Sequence, residues 1–240
     1  MITVTGVTKR FGRRVVLQQL EAQVISGRVT ALVGPNGAGK TTFLKLVLGL
    51  ARADAGSIAV DGHILDGSPR YRATIGYMPQ MARFPAHLTG RELLTTLASL
   101  RPVPAVPDLS LAEAFDLDDS FDRPLGALSG GTRQKINAVM AFAFAPKLII
   151  LDEPTAGLDP LAARVLKDRI LAERQAGKTV LVTSHVLPEL EEFADDVLFL
   201  ADGSAKWQGP ARELKVVTGQ HTLERAVAHL LSQRAMLAVA

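Results

Sequence analysis

The stretch GPNGAGKT, residues 34–41, constrains this chain more than any other. A compact β-rich run, Val29–Val33, leads into it, and Phe43, Leu44, Val47, Leu48 and Leu50 follow at helical spacing. A strand that turns through glycines straight into a helix fits the pattern GxxxxGK[ST]. The glycines let the backbone curl so that successive N–H groups point inward. The helix adds its positive N-terminal end, and the two together suit phosphate oxygens. In that pattern Lys40 reaches the β- and γ-phosphates and the Thr41 hydroxyl ligates Mg²⁺. The alternative is a plain glycine-rich turn; the strand before and the helix after favour phosphate.

A second stretch, LIILDE at 148–153, is an apolar run that ends in two carboxylates. A buried strand delivering Asp152 at its carboxyl end suits a Mg²⁺-linked carboxylate, because hard cations take oxygen ligands. Side chains alternate along a strand, so Asp152 and Glu153 face the same ligand only if the strand stops there. Pro154 supports that stop and biases Glu153 toward extended backbone. Glu153 then stands where a general base could orient and deprotonate an attacking water. A third stretch, Leu128-Ser129-Gly130-Gly131, precedes a helical pattern over 132–145. Read alone, it is a helix N-cap with flexible glycines; it could also form a second anion site.

The remaining pattern supplies a frame for these stretches. Residues 2–7, 15–24 and 57–60 read as short strands, and 75–78 as another that ends at Pro79. Helices are expected over 91–100 and 110–117, separated by a spacer containing Pro102, Pro104 and Pro107. Beyond residue 146, strands at 147–151, 179–183 and 197–200 alternate with helices at 161–174 and 187–194. Such alternation implies a largely parallel sheet covered on both faces, interrupted by a helical insertion over about 81–145. Leu223, Ala226, Val227, Leu230 and Leu231 mark an amphipathic helix near the C-terminus.

Composition narrows the functional classes. The 240 residues are 48% hydrophobic, which suffices for a sizeable core. There is no Cys, so a disulfide framework and thiolate metal or redox sites are excluded. The net charge of +3, without a block of like charges, argues against a nucleic-acid partner. No apolar run approaches the roughly 18 residues needed to span a bilayer, and no secretory signal is readable, so any membrane role needs a partner chain.

The strings GPNGAGKTT, LSGGTRQK and LIILDEP, in this order, resemble the ATP-binding subunits of ATP-binding-cassette (ABC) transporters over about residues 2–212. The resemblance implies a P-loop NTPase of α/β class: a mostly parallel core sheet, an N-terminal antiparallel β-subdomain and an inserted helical subdomain. It assigns 1–80 and 146–212 to the core and β-subdomain, 81–145 to the helical subdomain with the signature, and 213–240 to a C-terminal helical tail. ATP is then held by Gly34, Pro35, Asn36, Gly37, Ala38, Gly39, Lys40, Thr41 and Thr42 from one side. Ser129, Gly130 and Gly131 close the other side from a second copy. Phe11, in KRFG, takes the place of an adenine-stacking aromatic that is usually Tyr. Gln80, in YMPQ, matches the glutamine that senses the γ-phosphate. Asp159, in AGLD, matches a loop that crosses the dimer interface; a plain N-cap is the alternative, since Pro160 suits the first helical position. His185, after TVLVTS, matches a histidine that contacts the γ-phosphate. The catalytic set implied is Glu153, His185, Lys40 and Gln80, with Thr41, Gln80 and Asp152 on Mg²⁺. Where the signature normally continues with Gln, this chain has Thr132.

The same resemblance implies a head-to-tail dimer with ATP between the copies, and a separate integral membrane permease driven through the helical insertion. It puts the chain in the cytoplasm, peripheral on the inner face of the cell membrane. The strings LSGGTRQKINA, PTAGLDP and TSHVLPELEE are similar to exporter-type ATPases, and among them to the ATPase of nitrous oxide reductase maturation. That subtype implies a copper-site pathway and a periplasmic accessory protein. With no Cys and five scattered His, copper would be handled by the partners. The competing class is a non-transport ABC ATPase of DNA repair or translation; such relatives carry tandem cassettes or long coiled-coil insertions, and neither is present here.

Overall fold

The computed structural model describes residues 1–101 and 105–237, with side chains through Ser232. Pro102 and Pro104 of the expected spacer lie outside the described residues. In chain order the elements are β1 (Ile2–Phe11), β2 (Arg14–Val24), β3 (Val29–Val33), α1 (Lys40–Val47), β4 (Ala55–Val60), β5 (His63–Ile64), β6 (Ile75–Met78) and α2 (Gly90–Ser99). Then come α3 (Ser110–Ala114), α4 (Asp118–Phe121), α5 (Gly130–Phe142), β7 (Leu148–Asp152), α6 (Pro160–Gln175) and β8 (Thr179–Thr183). The chain closes with α7 (Leu187–Glu191), β9 (Asp196–Ala201), β10 (Ser204–Pro210), α8 (Ala211–Thr218) and α9 (Leu223–Leu237). It divides into two compact units, Met1–Ser68 with Leu181–Ala240, and Pro69–Val180.

The first unit contains a four-stranded antiparallel sheet in the order β2-β1-β4-β5. It also contains the run β10-β9-β3 of a mostly parallel sheet. Here β3 pairs parallel with β9, from Thr30↔Asp196 to Val33↔Phe199, so segments far apart in sequence lie side by side. Both strands are buried along their whole length, and Thr30 and Asp196 are the polar residues among their otherwise apolar side chains. Asp202-Gly203, both at positive φ, close the β9–β10 hairpin.

In the second unit β6 pairs parallel with β7, from Ile75↔Leu148 to Met78↔Leu151. Helix α5 lies against β6 so closely that a Cβ on Gly76 would fall 1.9 Å from the Ala141 carbonyl oxygen. Glycine at 76 therefore permits this packing. Helix α2 opens with a capping box, in which Thr89 Oγ1 accepts from Glu92 N and Glu92 returns a bond to Thr89 N.

Several elements differ from their sequence expectation. The single helix over 110–117 is two, because Asp116 at φ 54° turns the chain between buried Phe115 and Leu117. The helix at 132–145 starts two residues earlier, with Ser129 as its cap, and ends at Phe142. The helix at 187–194 stops at Glu191. Strand β10 and helix α8 were not legible: β10 has no fully buried residue, and α8 buries only Leu214 and Thr218.

Candidate functional site

In the first unit β3 delivers Gly34 at φ 151°, where a Cβ would lie 2.1 Å from the Leu200 carbonyl oxygen. No other residue fits that turn. The chain curls, with Ala38 N donating to Pro35 O at 3.2 Å, and enters α1 through Gly39 in the left-handed region. Gly39 offers no capping side chain, and the first turn of α1 holds no acidic residue. The helix end therefore keeps its positive character and its uncapped donors. Lys40 Nζ donates to Gly34 O at 2.6 Å and Pro35 O at 3.2 Å, which holds its ammonium over the loop. Asn36, Gly37 and Thr41 are exposed, and Thr42 is half-buried. The Arg14 guanidinium comes within 3.6 Å of where a Cβ on Gly37 would be.

Phe11 stands at the end of β1 with 53% of its surface exposed, so it is not a core aromatic. Lys9 Nζ lies 5.3 Å from its ring centroid and pairs with Asp54 at 3.0 Å, while Asp54 also accepts from Arg10 N. His185 is exposed directly after β8, in a turn where Val186 N donates to the buried Ser184 Oγ at 3.0 Å.

In the second unit β7 is buried over Leu148–Leu151 and ends at the half-buried Asp152. Burial, then the Asp152 charge, raise the Tyr77 phenol above its ordinary pKa. Glu153 is buried, at 8% exposure, and its backbone has φ 52°. The extended backbone expected before Pro154 is thus not found. A turn closed by Ala156 N donating to Glu153 O at 3.1 Å follows the strand at once and overrides the proline bias. The strand stops as expected, and left-handed backbone breaks the alternation that would otherwise send the two carboxylates to opposite faces.

Ser129 caps α5, its Oγ accepting from Thr132 N at 3.1 Å. Asp159 caps α6, accepting from Ala162 N at 2.8 Å. That bond first, and then Lys135, hold the Asp159 carboxyl below the usual carboxylate range. Lys135 of α5 pairs with Asp159 at 3.3 Å, and a Cβ on Gly131 would lie 3.2 Å from Gly157 O. The LSGG turn and the AGLD turn are therefore neighbours. Gln80 is exposed two residues beyond β6, and Asn137 Nδ2 of α5 donates to Pro79 O at 2.8 Å beside it. Farther along, Gly126 N donates to Ala86 O and Leu125 N to Leu88 O, each at 2.8 Å, tying the stretch after Gln80 to the one entering Ser129.

The second unit thus brings Gln80, Ser129, Gly130, Gly131 and Asp159 onto one connected framework, with Asp152 and Glu153 at the end of its buried strand. Phe11, the 34–42 loop and His185 belong to the first unit. Sequence reasoning missed Lys135, Asn137 and Lys9, whose partners are distant in sequence. Thr132 was noticed only as a departure. Among the described residues no cluster of three His, Asp or Glu side chains could hold a metal by itself, and no helix is long and apolar enough to cross a membrane.

The family model for the ABC transporter matches residues 17–156, more than half of the chain. The chain is 33% identical over 219 residues to the Nod factor export ATP-binding protein I of Ralstonia nicotianae, covering 89% of this chain and 68% of that protein. It is 36% identical over 224 residues to the daunorubicin resistance ATP-binding protein DrrA3 of Streptomyces coeruleorubidus, covering 91% and 71%. A solved structure of an ATP-binding subunit of an ABC transporter superposes with a TM-score of 0.89 at 29% identity, over 96% of this chain and 99% of that one. Two dimeric structures of an ATP-binding cassette share the fold at 22% identity over 88% of this chain and 98% of the other, with TM-scores of 0.79 for the one bound to ADP and Pi and 0.78 for the second. The chain belongs to the ABC transporter family, among the ATP-binding subunits that hydrolyse ATP.

Proposed function

We propose that this chain powers an exporter whose membrane-spanning part is a separate permease, and that two copies close head to tail around ATP. The observation that carries the reading is the pairing of a half-site with a cap. The loop at 34–41 supplies one cationic, donor-rich face. The exposed Ser129 turn, held beside Asp159, offers a second donor face that a partner copy can present. Export and drug-resistance ATP-binding proteins among the relatives, and the dimeric cassettes among the solved folds, support the same reading.

In this reading Lys40 turns from the carbonyls of Gly34 and Pro35 to the phosphates, and the loop N–H groups take the remaining oxygens. Phe11 stacks on adenine. Glu153 orients and deprotonates the water, while Gln80 and His185 contact the γ-phosphate. The oxygens of Thr41, Asp152 and Gln80 are hard donors of the kind Mg²⁺ takes, and these residues would hold the ion, which would offset phosphate charge. Closure excludes water from the γ-phosphate, and hydrolysis removes the bridge so that the copies separate. The permease places the subunit on the inner face of the membrane. A narrower reading assigns it to copper-site maturation of nitrous oxide reductase with a periplasmic accessory protein. It rests on the strings LSGGTRQKINA and TSHVLPELEE. Purification from the native host with its membrane chain would test it; a permease for another cargo overturns the narrow reading and leaves the broad one.

Phosphate release from Glu153→Gln tests the chemistry. Turnover is expected to fall about 10²- to 10⁴-fold with ATP binding retained. Unchanged turnover would remove Glu153 from the role of base.

A further inference from the structure

The Ser129 hydroxyl has an unusual neighbour. Thr132, one turn on in α5, places its own hydroxyl 2.8 Å from Ser129 Oγ, and its N–H donates to the same oxygen at 3.1 Å. A helical threonine would ordinarily bond back to the carbonyl four residues earlier, here Leu128 O. The guanidinium of Arg133 already donates to Leu128 O at 2.5 Å. Its neighbour Ser129 O accepts from Arg133 N at 3.0 Å. The Thr132 hydroxyl is left facing Ser129 Oγ.

Two proton arrangements satisfy the pair, and they are not equivalent toward an anion. If Ser129 donates to Thr132, its oxygen points a lone pair outward and repels phosphate. If Thr132 donates to Ser129, both Ser129 lone pairs are filled, one by the Thr132 N–H and one by its O–H. The Ser129 proton can then only point outward, as a donor. We propose that Thr132 is a positioning residue for ATP: its hydroxyl fills the last acceptor site on Ser129 Oγ and commits the Ser129 proton to a phosphate oxygen. This rests on the reading that Ser129 faces ATP across the two-copy interface.

The test measures ATP-driven self-association of the full chain carrying Glu153→Gln, by sedimentation with Mg²⁺ and ATP, together with the thermal midpoint of each variant. Thr132→Val keeps the shape and the N–H but removes the hydroxyl; Thr132→Ala is the second such variant. Each is expected to weaken the ATP-bound dimer about tenfold, equivalent to about 1.4 kcal/mol. Thr132→Ser should restore it to within about twofold. Adding Thr132→Val to Ser129→Ala should cost nothing more, because the group it positions is gone. Wild-type association by Thr132→Val and Thr132→Ala overturns the proposal. So does equal weakening by Thr132→Ser, an additive double variant, or weakening that tracks a fall in thermal midpoint. If Ser129→Ala itself leaves the dimer unchanged, the reading that Ser129 faces ATP fails instead.

Discussion

Glu153 combines three properties that rarely coincide: it is acidic, buried, and held with left-handed backbone. A non-glycine residue in that region costs about 1–2 kcal/mol. A residue kept on such terms points to use rather than stability. Replacing Glu153 by Gly relieves that backbone cost. The Glu153→Gly variant is expected to be about 1 kcal/mol more stable to denaturant, yet to lose turnover as fully as Glu153→Gln. A variant that is less stable and still active would contradict this reading of the position. The carboxylate itself was legible in the sequence, since LIILDE ends an apolar strand. Its backbone was not, because the proline rule is a local preference and the turn closed by Ala156 N prevails over it.

At the scale of elements, the framework under Gln80 and Ser129 depends on how tightly β6 meets α5. Gly76→Ala would press a methyl group into the Ala141 carbonyl and within 2.8 Å of the Pro146 ring. Backbone and a proline ring cannot rotate away, so a loss near the upper end of the 1–3 kcal/mol range for overpacking, about 3 kcal/mol, is expected in denaturant unfolding. A neutral substitution would show that the helix and strand part easily. A second tie joins α6 to the segment that opens α3: Arg169 donates to Asp108 and to Ser110 Oγ, each at 2.7 Å, and pairs with the buried Glu173. Burial pushes the Asp108 carboxyl up, but the bonds from Ser110 and Arg169 outweigh it and hold it at about 2. The folded value lies below the unfolded one of about 3.9. The stabilisation is therefore fully present above about pH 4 and is lost as pH falls toward 2. Asp108→Asn should lower the unfolding free energy at pH 7, by no more than about 1 kcal/mol because the carboxylate is partly exposed. The gap between variant and parent should narrow steadily as pH falls from about 4 toward 2 and close below that; a constant gap would assign the effect to something other than this ionisation. Long periodic elements such as α6 were readable from sequence. The network around Arg169 was not, because Asp108 and Ser110 are brought to it by folding; only Glu173, one turn on in α6, is its neighbour along the chain.

Across the whole molecule, the proposed two-copy closure needs two faces on each chain, the loop at 34–41 and the turn at 129–131. The motif at 34–41, and the alternation of strands and helices that supports it, could be read directly from residues; the turn at 129–131 read alone as an N-cap, and its role came from the family resemblance. What could not be read was their support: the pairing of β3 with β9 across more than 150 residues, and the ties from Asn137 and Lys135 to Pro79 and Asp159. These depend on which distant segments meet, and spacing along the chain does not encode that. The mass of the Glu153→Gln chain in solution tests two-copy closure most directly. Without nucleotide the mass should be that of one chain, 25.6 kDa; with Mg²⁺ and saturating ATP it should double, and Lys40→Ala added to the same chain should abolish the doubling. A mass that stays at one chain while ATP is bound would contradict closure of two copies around ATP.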